Sequence, residues 1–185
     1  MNSQQHLFLS MFPEGYKGYA IDVGANDGVF LSNTDELERR GWEVLCIEPN
    51  PLYAPRLWQA RKNTLCCAVG ATQTRAEFFV YSFGGNEFAS DSGLIERGAP
   101  SFKYPVCVET LDSLIAHWEP PHLDLLTIDV EGTEGDVLRG IDLARWAPLI
   151  VCVEDRQNAH THAPYLAPFG YHFHLNFDVD EVYTL

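Results

Sequence analysis

A chain of 185 residues with 46% hydrophobic content suits one folded domain and leaves no room for a separate substrate domain. Its 12 basic against 26 acidic residues give a formal charge of −14, which argues against nucleic acid or an anionic membrane as partner, since both demand basic patches. Five cysteines without a C-x-x-C pair point to free thiols in a reducing compartment. With neither a cationic leader nor an apolar run of about 20 residues, a cytoplasmic protein is expected.

Residues 3–12 carry Leu7, Phe8, Leu9, Met11 and Phe12, a short helix that covers one end of a sheet, broken at Pro13-Glu14-Gly15. Tyr19–Val23 reads as a first strand ending in Gly24, with a second glycine at Gly28. A helix to about Arg40 follows, with Phe30, Leu31, Thr34 and Leu37 inward and Gly41 as its C-cap. Trp42–Ile47 is strand two, ending at Glu48. Pro49-Asn50-Pro51 opens a helix from Leu52 to about Lys62 with Leu52, Pro55 and Trp58 toward the sheet. Leu65–Val69 is a continuous strand three.

The alternation then pauses. Ala76–Tyr81 and Tyr104–Val108 read as strands, and the glycine-rich stretch 82–103 between them as a lid or substrate loop. A helix from Thr110 ends before Pro120-Pro121, and Leu123–Ile128 is strand four, with Asp129-Val130-Glu131-Gly132 at its carboxyl end. A helix over 133–140 buries Val137, Leu138 and Ile141. Leu149–Val153 is strand five and ends in Glu154-Asp155; a helix over 157–168 precedes a hairpin of Tyr171–Leu175 and Glu181–Leu185. This order predicts an α/β fold, one Rossmann-like doubly wound sheet, mostly parallel, with seven core strands of which the last is antiparallel.

The stretch Tyr19–Glu48 has the order of a nucleotide-type βαβ unit, in which a glycine turn meets the ligand and an acid ending strand two takes a ribose diol. There is no G-x-G-x-x-G, and Asp22 sits inside the turn. A carboxylate there would repel a pyrophosphate but suits S-adenosylmethionine, which carries an ammonium and a sulfonium. Asp22, Gly24, Asn26, Asp27 and Gly28 are therefore expected around the methionine part, and Glu48 with Pro49 at the ribose. Ala68 and Val69 either border the adenine or merely finish strand three. Asp129 stands where strand four would face both methyl group and acceptor; the plainer reading is an acid capping the helix 133–140. Glu154, on the neighbouring strand, is the second candidate, since an adjacent carboxylate pair raises one pKa and makes a general base. His160 is a third candidate for a substrate-side base, against a solvated loop residue. Asp129, Glu154 and Asp155 also admit a Mg²⁺ site shared with two substrate hydroxyls, a reading less favoured than metal-free transfer.

The motifs Asp22–Gly28, Cys46–Pro51, Ala68–Gly70, Thr110–Leu114, Ile128–Gly132, Val137–Gly140 and Val153-Glu154, taken in order, resemble those of the FkbM-type methyltransferases of the class I fold. Ser32-Asn33-Thr34 and Gly41-Trp42 look like one subset of that family. The resemblance runs from about residue 19 to 175 and implies O-methylation of sugar or polyketide hydroxyls from S-adenosylmethionine. It supplies no particular acceptor. The expected partner is a small or carbohydrate-like hydroxyl compound. The alternative is a non-catalytic module of the same fold that binds S-adenosylmethionine, a glycan or a protein partner. An NAD-dependent reductase fits poorly, because no Tyr-x-x-x-Lys follows.

Overall fold

The computed structural model describes residues 3–81 and 92–185. Seven strands form one sheet: β1 (Tyr19–Val23), β2 (Glu43–Ile47), β3 (Asn63–Leu65), β7 (Leu125–Ile128), β8 (Ile150–Glu154), β9 (His172–Phe177) and β10 (Asp180–Thr184). Their spatial order is β3-β2-β1-β7-β8-β10-β9, and β10 runs opposite to the other six. Chain order reverses between β1 and β7, the topological switch beyond which ligands bind in open α/β sheets.

Strands in the middle of such a sheet are covered on both faces, so they read as unbroken apolar runs whose alternate residues serve different layers. Ile21, Val23, Leu45 and Ile47 pack with α4 (Leu111–Trp118), α5 (Glu134–Arg139), α6 (Leu143–Trp146) and α7 (Ala163–Leu166). Ala20, Val44, Cys46 and Cys152 pack on the opposite face with α1 (Ser3–Ser10), α2 (Asp35–Arg39) and α3 (Ala54–Ala60). Asp22 has the parity of Ala20, so its carboxylate enters the second layer.

Two glutamines of α1 reach across the switch point. Gln4 Nε2 donates to Asp180 Oδ2 at 2.8 Å and to Cys152 Sγ at 3.1 Å. Gln5 Nε2 donates to the Ser32 carbonyl, and Gln5 Oε1 accepts from Glu36 N at 3.2 Å.

Several local expectations are corrected. The first helix is confined to Asp35–Arg39, because Asp27 Oδ1 accepts from Val29 N at 3.0 Å and Phe30 N at 2.8 Å, turning the chain before it can coil. Phe30 is consequently 55% exposed, and Leu31, at φ 52°, is 71% exposed. Helix α3 turns Tyr53, Ala54, Leu57 and Arg61 inward, leaving Leu52 and Trp58 exposed. Arg61 is drawn in by Glu38, a preference that hydrophobic spacing does not register.

Strand three is split. Asn63–Leu65 pairs with β2, whereas Ala68–Val69 (β4) leaves for a second sheet of order β4-β6-β5, with β5 at Thr74–Val80 and β6 at Phe102–Glu109. The expected helix 157–168 shrinks to α7 and a 3₁₀ turn over Ala167–Phe169, and α6 was not foreseen. Of the expected lid 82–103, residues 82–91 lie outside the described residues, and Phe102 and Lys103 belong to β6. Among the described residues no helix is long and apolar enough to cross a membrane.

Candidate active site

At the switch point a cleft of about 930 Å³, its open mouth included, is lined by Asp22, Gly24, Asn26, Glu48, Pro49, Ala68, Val69 and Asp129. These are eight of the residues assigned to ligand binding from sequence. Gly24 brings two of them together. It sits at φ +91°, and a Cβ there would overlap the Asp129 carbonyl oxygen, so only glycine allows β1 and β7 to end side by side. Its N–H donates to Ile47 O at 2.9 Å, and Asp129 N donates to Val23 O at 2.9 Å.

Glu48 is buried. Its Oε2 accepts from Asn26 N at 3.0 Å and its Oε1 from Asn50 N at 2.8 Å. Burial pushes its carboxyl up to about 7 against those two N–H groups, with Asp22 adding to the rise. Each oxygen keeps a lone pair free, the arrangement a vicinal diol requires. Asn50 Nδ2, also bordering the cleft, is buried and has no hydrogen-bond partner among the described residues. Both observations fit a ribose.

Asp22 Oδ2 accepts from Thr34 Oγ1 at 2.6 Å, and the same hydroxyl oxygen accepts from Arg61 Nη2 at 2.9 Å. Burial raises the Asp22 carboxyl, opposed by the nearby Arg61 and by the Thr34 hydroxyl. Arg61 also donates to Gly28 O and Ser32 Oγ, both at 3.2 Å, and pairs with Glu38. It is therefore the hub of the glycine turn, and spacing alone gave no sign of it.

Asp27 and Gly28 shape the turn without lining the cleft: Asp27 closes the turn described above, and a Cβ at Gly28 would press on Arg61 and Leu57. The second sheet supplies Phe78, and the segment beyond residue 91 supplies Ser92 and Leu94. Tyr104 of β6 donates to Pro49 O at 2.9 Å, tying that sheet to the end of β2.

Ile128 pairs with Val153, which sets Asp129 beside Glu154 at adjacent strand ends. Carboxylate oxygens of Asp129, Glu131 and Glu154 all lie within 4.8 Å of one another. Burial first, then Glu154 and Glu131, hold the Asp129 carboxyl well above the ordinary range. Glu134 Oε1 accepts from Gly132 N at 2.8 Å, and among the described residues nothing at the start of α5 donates to the Asp129 carboxylate, so Asp129 does not cap that helix.

Asp155 does not join the acidic set proposed for Mg²⁺. It accepts from Thr161 N at 3.0 Å, Thr161 Oγ1 at 2.8 Å and Gln157 N at 3.1 Å, and these bonds hold its carboxyl below the usual range against its burial. Two guanidiniums, Arg97 and Arg156, already stand on Glu131 and Glu154. His160 is absent from the cleft lining. Its backbone N and Nδ1 both lie 2.9 Å from Glu181 Oε1, and its ring meets Phe173 edge-on at 4.4 Å.

Beyond the carboxylates a second, polar cleft of about 940 Å³, mouth included, is lined by Arg97, Arg139, Glu154, Arg156, Gln157 and His162 among others. Thr133 borders both clefts, and its hydroxyl is buried without a partner among the described residues.

A doubly wound sheet with its seventh strand reversed, a glycine turn, and an acid at the end of strand two define the Rossmann-like methyltransferase class. The sequence matches the family described as "Methyltransferase FkbM domain" over residues 22–178, and the chain belongs to that family. Among solved structures it is similar to a TehB-like SAM-dependent methyltransferase from Corynebacterium glutamicum, with 12% identity over 100% of this chain and 88% of that one and a TM-score of 0.49. No curated protein matches. The activity that goes with the family is S-adenosylmethionine-dependent methyl transfer.

Proposed function

We propose that the protein transfers a methyl group from S-adenosylmethionine to a hydroxyl of a small, sugar-like acceptor. The observation that carries this reading is that the two clefts share Thr133, with Asp129 lining the nucleoside-type site on one side and Glu154 the polar groove on the other. When bound, S-adenosylmethionine supplies a methyl carbon whose bond to sulfur breaks, the electron pair staying on sulfur, as the acceptor oxygen bonds that carbon. Glu48 and Asn50 would hold the ribose, and Asp22 would face the cationic methionine end. Asp129 takes the proton that the hydroxyl loses. Because the displacement is in line, holding the oxygen behind the methyl carbon is the protein's main contribution. Five free thiols fit a reducing, cytoplasmic location.

Calorimetry with S-adenosylhomocysteine, followed by labelled methyl transfer to a panel of sugars and polyols with and without EDTA, tests the reading. Binding is expected in the wild type and lost in Glu48→Ala; Asp129→Asn is expected to bind normally and to transfer at least about 100-fold more slowly. Absence of binding heat, or full transfer by Asp129→Asn, would overturn it.

A further inference from the structure

Three carboxylates within 4.8 Å cannot all stay ionised without compensation, and the compensation here is unequal. Arg97 Nη1 donates to Glu131 Oε2 at 3.0 Å, and its Nη2 donates to the Glu131 carbonyl oxygen. Arg156 spans two of the acids, with Nε on Glu154 Oε1 at 2.9 Å and Nη2 on Glu131 Oε2. Among the described residues no side chain donates to the carboxylate of Asp129.

The backbone is bent to permit this. Glu131 sits at φ 66° and Gly132 at φ 105°, and a Cβ on Gly132 would lie 2.8 Å from Arg97 Nη2. Two successive residues in the left-handed region, one of them a glutamate, mark a conformation held by its surroundings.

We propose that Arg97 and Arg156 fix Glu131 and Glu154 as anions and leave Asp129 as the member of the cluster that exchanges a proton. Both arginines are then positioning residues for the base. This deepens the reading of Asp129 as proton acceptor and rests on it.

Among the described residues the charged groups acting on Asp129 are Glu131 on its own loop, Glu154 on β8, Asp180 at the start of β10, and Glu134 on α5, and Asp129 in turn acts on buried Cys152. The two guanidiniums contact Glu131 and Glu154 and not Asp129. The anions they hold raise the proton affinity of Asp129, while the guanidiniums themselves limit that rise. Burial raises Glu154 as well, and Arg156 opposes it. Removing either positive charge therefore raises the pH at which the cluster loses its proton. A cation at this range moves a carboxyl by about one pH unit or more.

The test is a pH titration of protein labelled with ¹³C at Asp and Glu carboxyls, read by NMR with S-adenosylhomocysteine present, Asp129 being assigned with Asp129→Asn. Asp129 is expected to keep its proton to higher pH than Glu131 and Glu154. Arg97→Gln and Arg156→Gln should each raise the midpoint by about one pH unit, and Arg97→Lys should restore most of it. Should Arg97→Gln not fold, Arg156→Gln and Arg97→Lys carry the same comparison. The proposal is overturned if Asp129 loses its proton before its two neighbours, or if the Gln variants leave the midpoint where it was. Calorimetry on the same samples separates the two levels: failure of the wild type to bind S-adenosylhomocysteine sinks the function, whereas normal binding with a reversed order of titration sinks only the role of the arginines.

Discussion

Replacing Gly24 by alanine should separate the two strands that carry the site. The cost has three parts. Alanine at φ +91° costs about 1–2 kcal/mol, since a Cβ in the left-handed region approaches its own backbone. The new methyl would also overlap the Asp129 carbonyl oxygen and lie 2.8 Å from its carbon. Backbone cannot swing aside as a side chain does, and relief of such overpacking costs about 1–3 kcal/mol. If β7 shifts, the 2.9 Å bond from Asp129 N to Val23 O weakens, at about 0.5–1.5 kcal/mol. The total is about 2.5–6.5 kcal/mol, a large share of the roughly 5–15 kcal/mol that holds a domain together. Urea unfolding followed by tryptophan fluorescence measures it. Gly15→Ala is the control, because Gly15 has a positive φ of +77° with nothing within 4 Å of a new Cβ, so only the conformational part of about 1–2 kcal/mol remains. Equal losses for the two variants would refute the steric account of Gly24.

Glu48 and Arg61 offer two further tests. Folded Glu48 holds its proton up to about 7, above an unfolded glutamate, so the stability it contributes is complete below the unfolded value and is lost as pH rises through about 7. The stability difference between wild type and Glu48→Gln, taken without ligand, should therefore fall between about pH 5 and about pH 8; a flat difference would contradict the burial argument. S-adenosylhomocysteine affinity should rise over the same interval, as the ionised carboxylate is the better acceptor for a diol. Arg61→Met strands the buried Glu38 and is expected to cost about 3–5 kcal/mol by chemical denaturation, with most of it recovered in Arg61→Met/Glu38→Leu. No recovery in the double variant would show that Arg61 matters through Thr34 and Asp22 instead.

The parts of the fold legible in the sequence are those where burial acts on a strand from both faces. Tyr19–Val23 has the bounds expected of it, and β2, β7 and β8 start and stop within a residue or two of theirs, because a largely apolar run of that length admits little else. Acids at strand ends were legible for the same reason: Glu48, Asp129 and Glu154 each interrupt such a run. What failed depends on competition between side chain and backbone, or on contacts distant in sequence. Phe30 and Leu31 have helical spacing, yet Asp27 takes the N–H groups that a helix would use. Cys66-Cys67 looks like mid-strand, but the chain changes sheets there to meet β6, some forty residues later. Glu131 reads from the sequence only as an extension of the strand-end motif, because its partners, Arg97 and Arg156, lie 34 and 25 positions away.

The two glutamines of α1 have a consequence for how the cleft holds together. An eight-residue helix has almost no stability of its own in water, so α1 exists by virtue of what it touches. It touches the glycine turn through Gln5 and the β8–β10 edge through Gln4, which are opposite banks of the switch point. Docking of the helix and the separation of those banks are thereby one equilibrium. A ligand that needs the banks at a set distance stabilises the helix, and the helix returns the same free energy to the ligand, so α1 contributes to affinity without lining the cleft.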